Sequence, residues 1–588
     1  MFGAYAKNYP QTLKQPNGTI INCFVDGDEY YSWLHDANNY TIVQNTTTGY
    51  YCYAMLQNND LIASTCVVGV NTPSSCGLTP GINLSSEQIL SLVSQYRNKT
   101  KDTVIFKPII NNTLKGLQTQ TINNIVVYIR FADQTEFPAI QANYESDFNS
   151  TQPNISSMSN YFNEVSYGAL NIHSTFYPNN NGSSIISYQD NHTQAYYRSY
   201  IKGINDSGYT NSQMQAREDS LLSHAFRFVK NQIDPALNID IDNNTWIDVV
   251  NFIIRGEYFY SDPNSSAILW PHAYHYNGYN YITNNIYGKK LDVYVIQLEN
   301  YLAISKAHVL CHEMYHALYK APDLYHYTNQ SANIPVGIWD IMSSTPVPPQ
   351  HMGAYMKSRW GHWIDSIPEI RNSGTYSLNP ITSANNNCYK IKIKGSKEFI
   401  VLEYRKKAGI FESSIPNSGL LIYRINPNYN TDNDINYTGN EAGSGPGGKN
   451  DIIYIYRPNG NLSQEGNLLQ ANFTSDANRS TFSNTSNPAN FLSNGLLGNI
   501  YIKNIGSTGN TITFDVRFCD VVTKTFTSTN PLPTLTNASQ SIGTTGLVTV
   551  NSNNNVTFEA AQDVTLGNGF EIKLGGVLEI NMNGCGQK

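Results

Sequence analysis

The chain has 588 residues, a net charge of −7 and only 14% charged residues. Its Lys and Arg form no basic block, which argues against nucleic acid and anionic membrane as partners, and no apolar run is long enough for a membrane span. The length exceeds what one hydrophobic core supports and implies several domains.

At the start, Ala4-Tyr5-Ala6 has the small-x-small form that precedes signal cleavage, so the chain begins either inside a leader or at an ordinary N-terminus. Cys23, Cys52, Cys66 and Cys76 crowd the first eighty residues, while Cys519 and Cys585 lie near the end. Pairing within each group suits an oxidising, extracellular compartment. Residues 1–115 read as a small mixed unit. INCFVDGDEYYSWLHDANNYTIV and YYCYAM give strands; SSEQILSLVSQYRNKT gives a helix capped by Ser86, with Ile89, Leu90 and Leu92 on its apolar face.

Residues 116–370 alternate strands and helices. TINNIVVYIRFAD, IDVVNFIIRG and LDVYVIQLEN read as buried strands. Met214, Leu221, Leu222, Ala225, Phe226 and Val229 recur at helical spacing, and a further helix starts near a capping Ser305. This order is an α/β layout. Residues 371–520 turn to short strands separated by Gly, Asn and Pro, a β-sandwich-like pattern. Residues 521–588 hold a polar linker and a small β module, solenoid or sandwich, suited to cell-surface association.

The stretch HVLCHEMYHALYKAPDLYHY, 308–327, carries the chemistry. Residues four apart share a helix face, so His312 and His316 can bind one Zn2+, and Glu313 reaches a water on that ion rather than the ion itself. Zinc lowers the pKa of such a water to about 7, and Glu313 can take its proton as general base. His-Glu-x-x-His arises by chance in only about one in a hundred chains of this composition. The third ligand is left open by spacing: Asp323 follows His316 by seven residues, His326 by ten, and His351 is more distant. His308 reads as a wall of the cleft, His272 and His275 as packed residues on a nearby strand, and Cys311 as a buried free thiol. Ca2+ is a second candidate cation given the scattered Asp and Asn, although no loop shows the expected ligand spacing.

HEMYHALYKAPDLYHY, PVGIWDIMSST and PPQHMGAYMK together resemble the immune inhibitor A family of secreted zinc metalloproteases, which are metzincin-like zincins. The family pattern is His-Glu-x-x-His-x-x-Gly-x-Pro-Asp. The resemblance implies that His312, His316 and Asp323 are metal ligands, with His326 the alternative third, that Glu313 is the base, and that Met342 in Trp339-Asp340-Ile341-Met342 forms a methionine turn under the site. Tyr319-Lys320 stands where the family has one Gly, which normally ends the helix in a left-handed conformation that is costly for Tyr. The extra residue suggests a wider turn. FVDGDEYYSWLHDANNYTIVQNTTTGYYCYAM resembles the family's pro-region, and YFNEVSYGALNIHSTFYP its catalytic domain.

The resulting expectation is an α/β zincin-like catalytic domain (116–370) behind an N-terminal pro-domain (1–115), followed by all-β C-terminal domains (371–520 and 521–588). The function expected is a secreted zinc endopeptidase made as a zymogen and acting on protein or peptide substrates. The alternative is a surface adhesin with a vestigial protease site. Latency would come from Cys23 or from a carboxylate among Asp26, Asp28 and Glu29, relieved by trimming near residues 95–118.

Overall fold

Six strands form the central sheet, and its middle three, rich in Ile and Val, explain its burial; five follow one another and the short Tyr188–Gln189 pairs with the end of Gln120–Arg130. In space the five run His272–His275, Val293–Leu298, Val250–Ile254, Gln120–Arg130 and Leu170–Tyr177. All are parallel except the first, which lies antiparallel along one edge. Val250–Ile254 is buried at every position, as a strand covered on both faces must be. The computed structural model describes residues 5–99, 119–179, 184–256, 268–276, 285–327, 334–429, 450–519, 521–582 and 586–587.

Helices cover both faces. Met214–Val229 lays its buried Met214, Leu221, Leu222, Ala225, Phe226 and Val229 on one side, as the spacing required. Met158–Val165 and His308–Tyr319 pack into the core on the other. Ser305 does not start the latter helix. It ends a preceding one, Glu299–Ser305, and Lys306 then breaks the chain at φ 52°, because the strand before it ends at Leu298 and the helical segment begins at once. The cap of Ser86–Lys99 also falls one residue earlier than expected. Ser85 Oγ accepts from Gln88 N while Gln88 Oε1 accepts from Ser85 N, a reciprocal capping box. That helix buries Ile89 and Val93 and leaves Leu90 39% exposed.

The N-terminal unit is a six-stranded antiparallel meander, Ala6–Lys14 through Asp60–Val67. It docks on the central sheet through one continuous core that joins Val25, Tyr30 and Leu34 to Val127, Tyr325 and Tyr327. Cys66 pairs with Cys76, but Cys23 and Cys52 are free and buried. Cys519 is disulfide-bonded; Cys585 lies outside the described residues, as do Ala4 and residues 100–118 of the expected trimming region.

The second half is β-rich. A four-stranded antiparallel sheet (Cys388–Lys392, Phe399–Arg405, Gly419–Ile425, Ile453–Ile455) and a three-stranded one enclose a second core. The four-stranded sheet is wedged between that core and the central unit: Leu402, Leu420 and Ile422 face outward to the former, Val401, Leu421 and Tyr423 inward to the latter. The C-terminal strands Val521–Thr527, Leu535–Thr545, Asn555–Ala560 and Val577–Asn581 pair in parallel. Parallel stacking by short connections is the solenoid form of the two expected.

Candidate metal centre

The His308–Tyr319 helix is buried along its whole length and lies against the Val293–Leu298 strand and the antiparallel edge strand. Its one-turn spacing places His312 and His316 side by side. Lys320 ends it in the left-handed region, at φ 55° and ψ 29°, with its backbone N–H donating to His316 O at 2.8 Å. The position expected of Gly is thus filled by Lys320 rather than Tyr319. The turn is tight rather than wide, and the longer spacing only shifts which residue makes it. Burial pushes the Lys320 amine down to about 6, with Asp292 opposing.

After that turn the chain carries Asp323 back over the two histidines. His312 Nε2 and His316 Nε2 are 3.0 Å apart, and Asp323 Oδ1 is 3.2 Å from each. All three residues are at most 1% exposed. The opposite ring nitrogens settle the tautomers. His312 Nδ1 is 2.8 Å from Ile341 O, and His316 Nδ1 is 2.5 Å from Ala321 O. A carbonyl only accepts, so each Nδ1 carries the proton and each neutral ring turns a bare Nε2 lone pair inward. Three acceptor atoms therefore converge on one point. Asp323 Oδ1 has no hydrogen-bond donor among the described residues, whereas Oδ2 accepts from Tyr327 OH at 2.8 Å.

Such a triangle fits a tetrahedral metal. Ligand atoms about 2.0–2.1 Å from zinc lie about 3.3 Å from one another. The carbonyls behind the imidazoles and the phenol behind the carboxylate are the outer partners that orient such ligands. The charges agree. Burial lowers His316, keeping it neutral. Glu313 is fully buried and offers a carboxylate oxygen within 4.8 Å of the histidine ligand atoms.

Met342 lies behind this group on a turn fixed from two sides. Asp340 accepts from Met342 N at 2.9 Å and from Gly353 N at 2.7 Å, and Met342 O accepts from Leu324 N at 2.7 Å. Arg405, from the β-rich half, donates to Trp339 O at 2.5 Å and His351 O at 3.2 Å while pairing with Glu412. The second half thereby holds the segment that leads into Ile341 and Met342.

The remaining candidates lie elsewhere. His326 Nε2 is 2.7 Å from Asp451 Oδ1, so the alternative third ligand is engaged away from the triangle. His351 sits between Glu164 at 2.9 Å and Lys357 at 3.0 Å. His308 faces Thr345 O and is pushed down to about 4 by burial. His272 is packed against Glu218 and Trp270 O, and Cys311 is a buried free thiol.

Sequence reasoning missed Tyr327, which nothing distinguishes among 42 tyrosines, and Arg405, which a different domain supplies. It also passed over Asp240, Asp242 and Asp248, whose carboxylates gather within 4.8 Å of one another. The signal was present as D-x-D-x-N-x-x-x-D. This cluster carries its own cation: Lys289 Nζ is 2.6 Å from Asp240 Oδ2. No family model matches the chain, and no curated protein matches it.

Proposed function

We propose that this protein is a zinc endopeptidase of the immune inhibitor A type, secreted and made as a zymogen, with 116–370 as its zincin-like catalytic domain and 1–115 as its pro-domain. The observation that carries the reading is the convergence of His312 Nε2, His316 Nε2 and Asp323 Oδ1 at 3.0–3.2 Å with no donor among them. Three buried acceptors face each other at a cost unless a cation lies between them.

His312, His316 and Asp323 would hold the ion, and three protein ligands leave one position open, as catalytic sites do. The ion would supply Lewis acidity, acidifying water and polarising a peptide carbonyl. The chain's own residues do the rest. Glu313, buried beside the histidines, takes a proton from the attacking water and returns it to the leaving amine. Ile341 O and Ala321 O lock both imidazoles in the Nδ1–H form, and Tyr327 OH keeps the Asp323 carboxylate turned toward them. The Met342 turn, fastened by Asp340 and Arg405, fixes the Ile341 carbonyl and so the His312 ring. The C-terminal parallel stack supports cell-surface association.

Casein digestion by trimmed wild type and by Glu313→Gln tests the reading. Internal fragments from the first and at least a thousandfold slower cleavage by the second, with zinc retained in both, are expected when the general base is lost. An adhesin with a vestigial site would digest nothing in either form. An aminopeptidase would release single residues.

A further inference from the structure

The N-terminal unit meets the segment that follows Asp323 through aromatic rings. Tyr30 lies in the loop between the strands Ile20–Gly27 and Ser32–His35, and the backbone of that loop is fixed. Gly27 has φ +123°, and a Cβ there would sit 2.2 Å from Tyr31 O, so the chain closes on itself in a way that only glycine permits. Asp28 Oδ1 accepts from Tyr30 N and Tyr31 N, both at 3.0 Å. The loop thereby gives the Tyr30 ring a set place, and Tyr30 is 1% exposed.

That ring packs edge-on to Tyr327, with 5.1 Å between centroids. Tyr327 packs edge-on to Tyr325 at 5.3 Å, and Tyr325 meets Tyr5, just before the first strand, at 5.9 Å. Two tyrosines of the N-terminal unit thus flank the two that follow Asp323. Another pair, Tyr9 and Tyr301 at 4.9 Å, ties the same unit to the helix Glu299–Ser305. The contacts continue inward. The Tyr327 hydroxyl donates to Asp323 Oδ2 at 2.8 Å, while Asp323 Oδ1 faces the two Nε2 atoms at 3.2 Å. A phenol keeps its hydroxyl on one carboxylate oxygen only while its ring stays in one rotamer, and Tyr30 is a ring that the N-terminal unit sets against it.

We propose that Tyr30 is a positioning residue of the metal centre: packed on Tyr327, it keeps that phenol on Asp323 Oδ2 and so keeps Oδ1 turned toward His312 and His316. The proposal rests on the metal-centre reading above. It makes the N-terminal unit a part of the centre's support, although no residue of that unit is a ligand. Coupling of this kind is reciprocal: the docked unit tightens the hold on the ion, and the bound ion tightens the docking of the unit. Removal of the unit takes the Tyr30 ring off Tyr327, so a trimmed chain holds its ion less tightly than the full-length chain.

The test uses the full-length chain in a Glu313→Gln background, which keeps the chains intact, stripped of metal and titrated with Co2+. Tyr30→Ala should lower Co2+ affinity by about 3–10-fold, the weight of one such ring pair. Tyr30→Phe keeps the ring and should restore the parent affinity. Tyr53→Ala removes a ring of the same unit that pairs with Tyr40 at 6.0 Å, and it should leave the affinity unchanged; thermal transitions check that each variant is folded. The double-mutant cycle supplies a readout that a merely structural role would not move. In a Tyr327→Phe chain, which has no hydroxyl to place, Tyr30→Ala should have no further effect on affinity. Unchanged Co2+ affinity in Tyr30→Ala, or an equal loss with and without the Tyr327 hydroxyl, overturns the role of Tyr30 and leaves the metal centre standing. Absence of Co2+ binding to the parent overturns both.

Discussion

Two buried clusters of ligand-type side chains, about seventy residues apart in sequence, show what separates a metal-ready centre from an acidic turn. Asp240, Asp242 and Asp248 are drawn together by the loop's own donors. Asp240 accepts from Asn244 N and Thr245 N, Asp248 from Ile241 N, and Lys289 supplies the cation. Its acceptors are answered from within the fold. At His312, His316 and Asp323 the partners lie behind the ligands: the Ile341 and Ala321 carbonyls accept from the two Nδ1–H groups, the Tyr327 phenol donates to Asp323 Oδ2, and the inward atoms are left facing one another. Proximity of acids and imidazoles is common to both. The direction in which the surrounding hydrogen bonds point is what differs.

The largest contrast should come from removing one member of each cluster. Asp323→Ala is expected to lose stoichiometric zinc and to reduce peptide cleavage at least a thousandfold, whereas Asp242→Asn should leave zinc content unchanged; metal analysis after dialysis and a peptide assay read both. Next is Tyr327→Phe, which frees the Asp323 carboxylate to rotate and should weaken zinc by about 10–100-fold, measured by competition with a chromophoric chelator.

Lys289→Met attacks the other cluster. It strips the internal cation from three carboxylates and should cost about 1–3 kcal/mol of stability, reduced from the fully buried case because the Lys289 side chain is 26% exposed. Denaturant unfolding checks this, with zinc affinity unaltered. The smallest effect concerns pH. Burial, then Asp240 and Asp242, push the Asp248 carboxyl up to about 8. The folded chain keeps a proton there that the unfolded chain, at about 3.9, has released. That contribution is present at low pH and is lost as pH rises through 8. Asp248→Asn should therefore flatten the decline in stability between pH 5 and 8, read by denaturant unfolding at each pH.

The same contrast explains what could be read in advance. Helical spacing put His312 and His316 on one face, and apolar runs located the strands Gln120–Arg130, Val250–Ile254 and Val293–Leu298. Both are local properties, and local periodicity survives folding. Ser305 and Ser86 were misplaced as caps because a helix start depends on where the preceding segment ends and on which neighbour can bond back, here Leu298 and Gln88. Cys23 looked like a disulfide candidate from crowding alone, yet its thiol faces Gln11 O across the first strand pair and is free. Arg405 was illegible because it is defined by a contact between distant units, a guanidinium against the Trp339 and His351 carbonyls, and Tyr327 because only the turn after the helix brings its phenol onto Asp323.

The most direct measurement is the X-ray absorption edge of zinc in the full-length chain. The account predicts one zinc per chain with two imidazole nitrogens and carboxylate oxygen at about 2.0–2.1 Å, and loss of that signal in His312→Ala. A chain that retains no zinc, or zinc surrounded by oxygen alone and unaffected by His312→Ala, would contradict it.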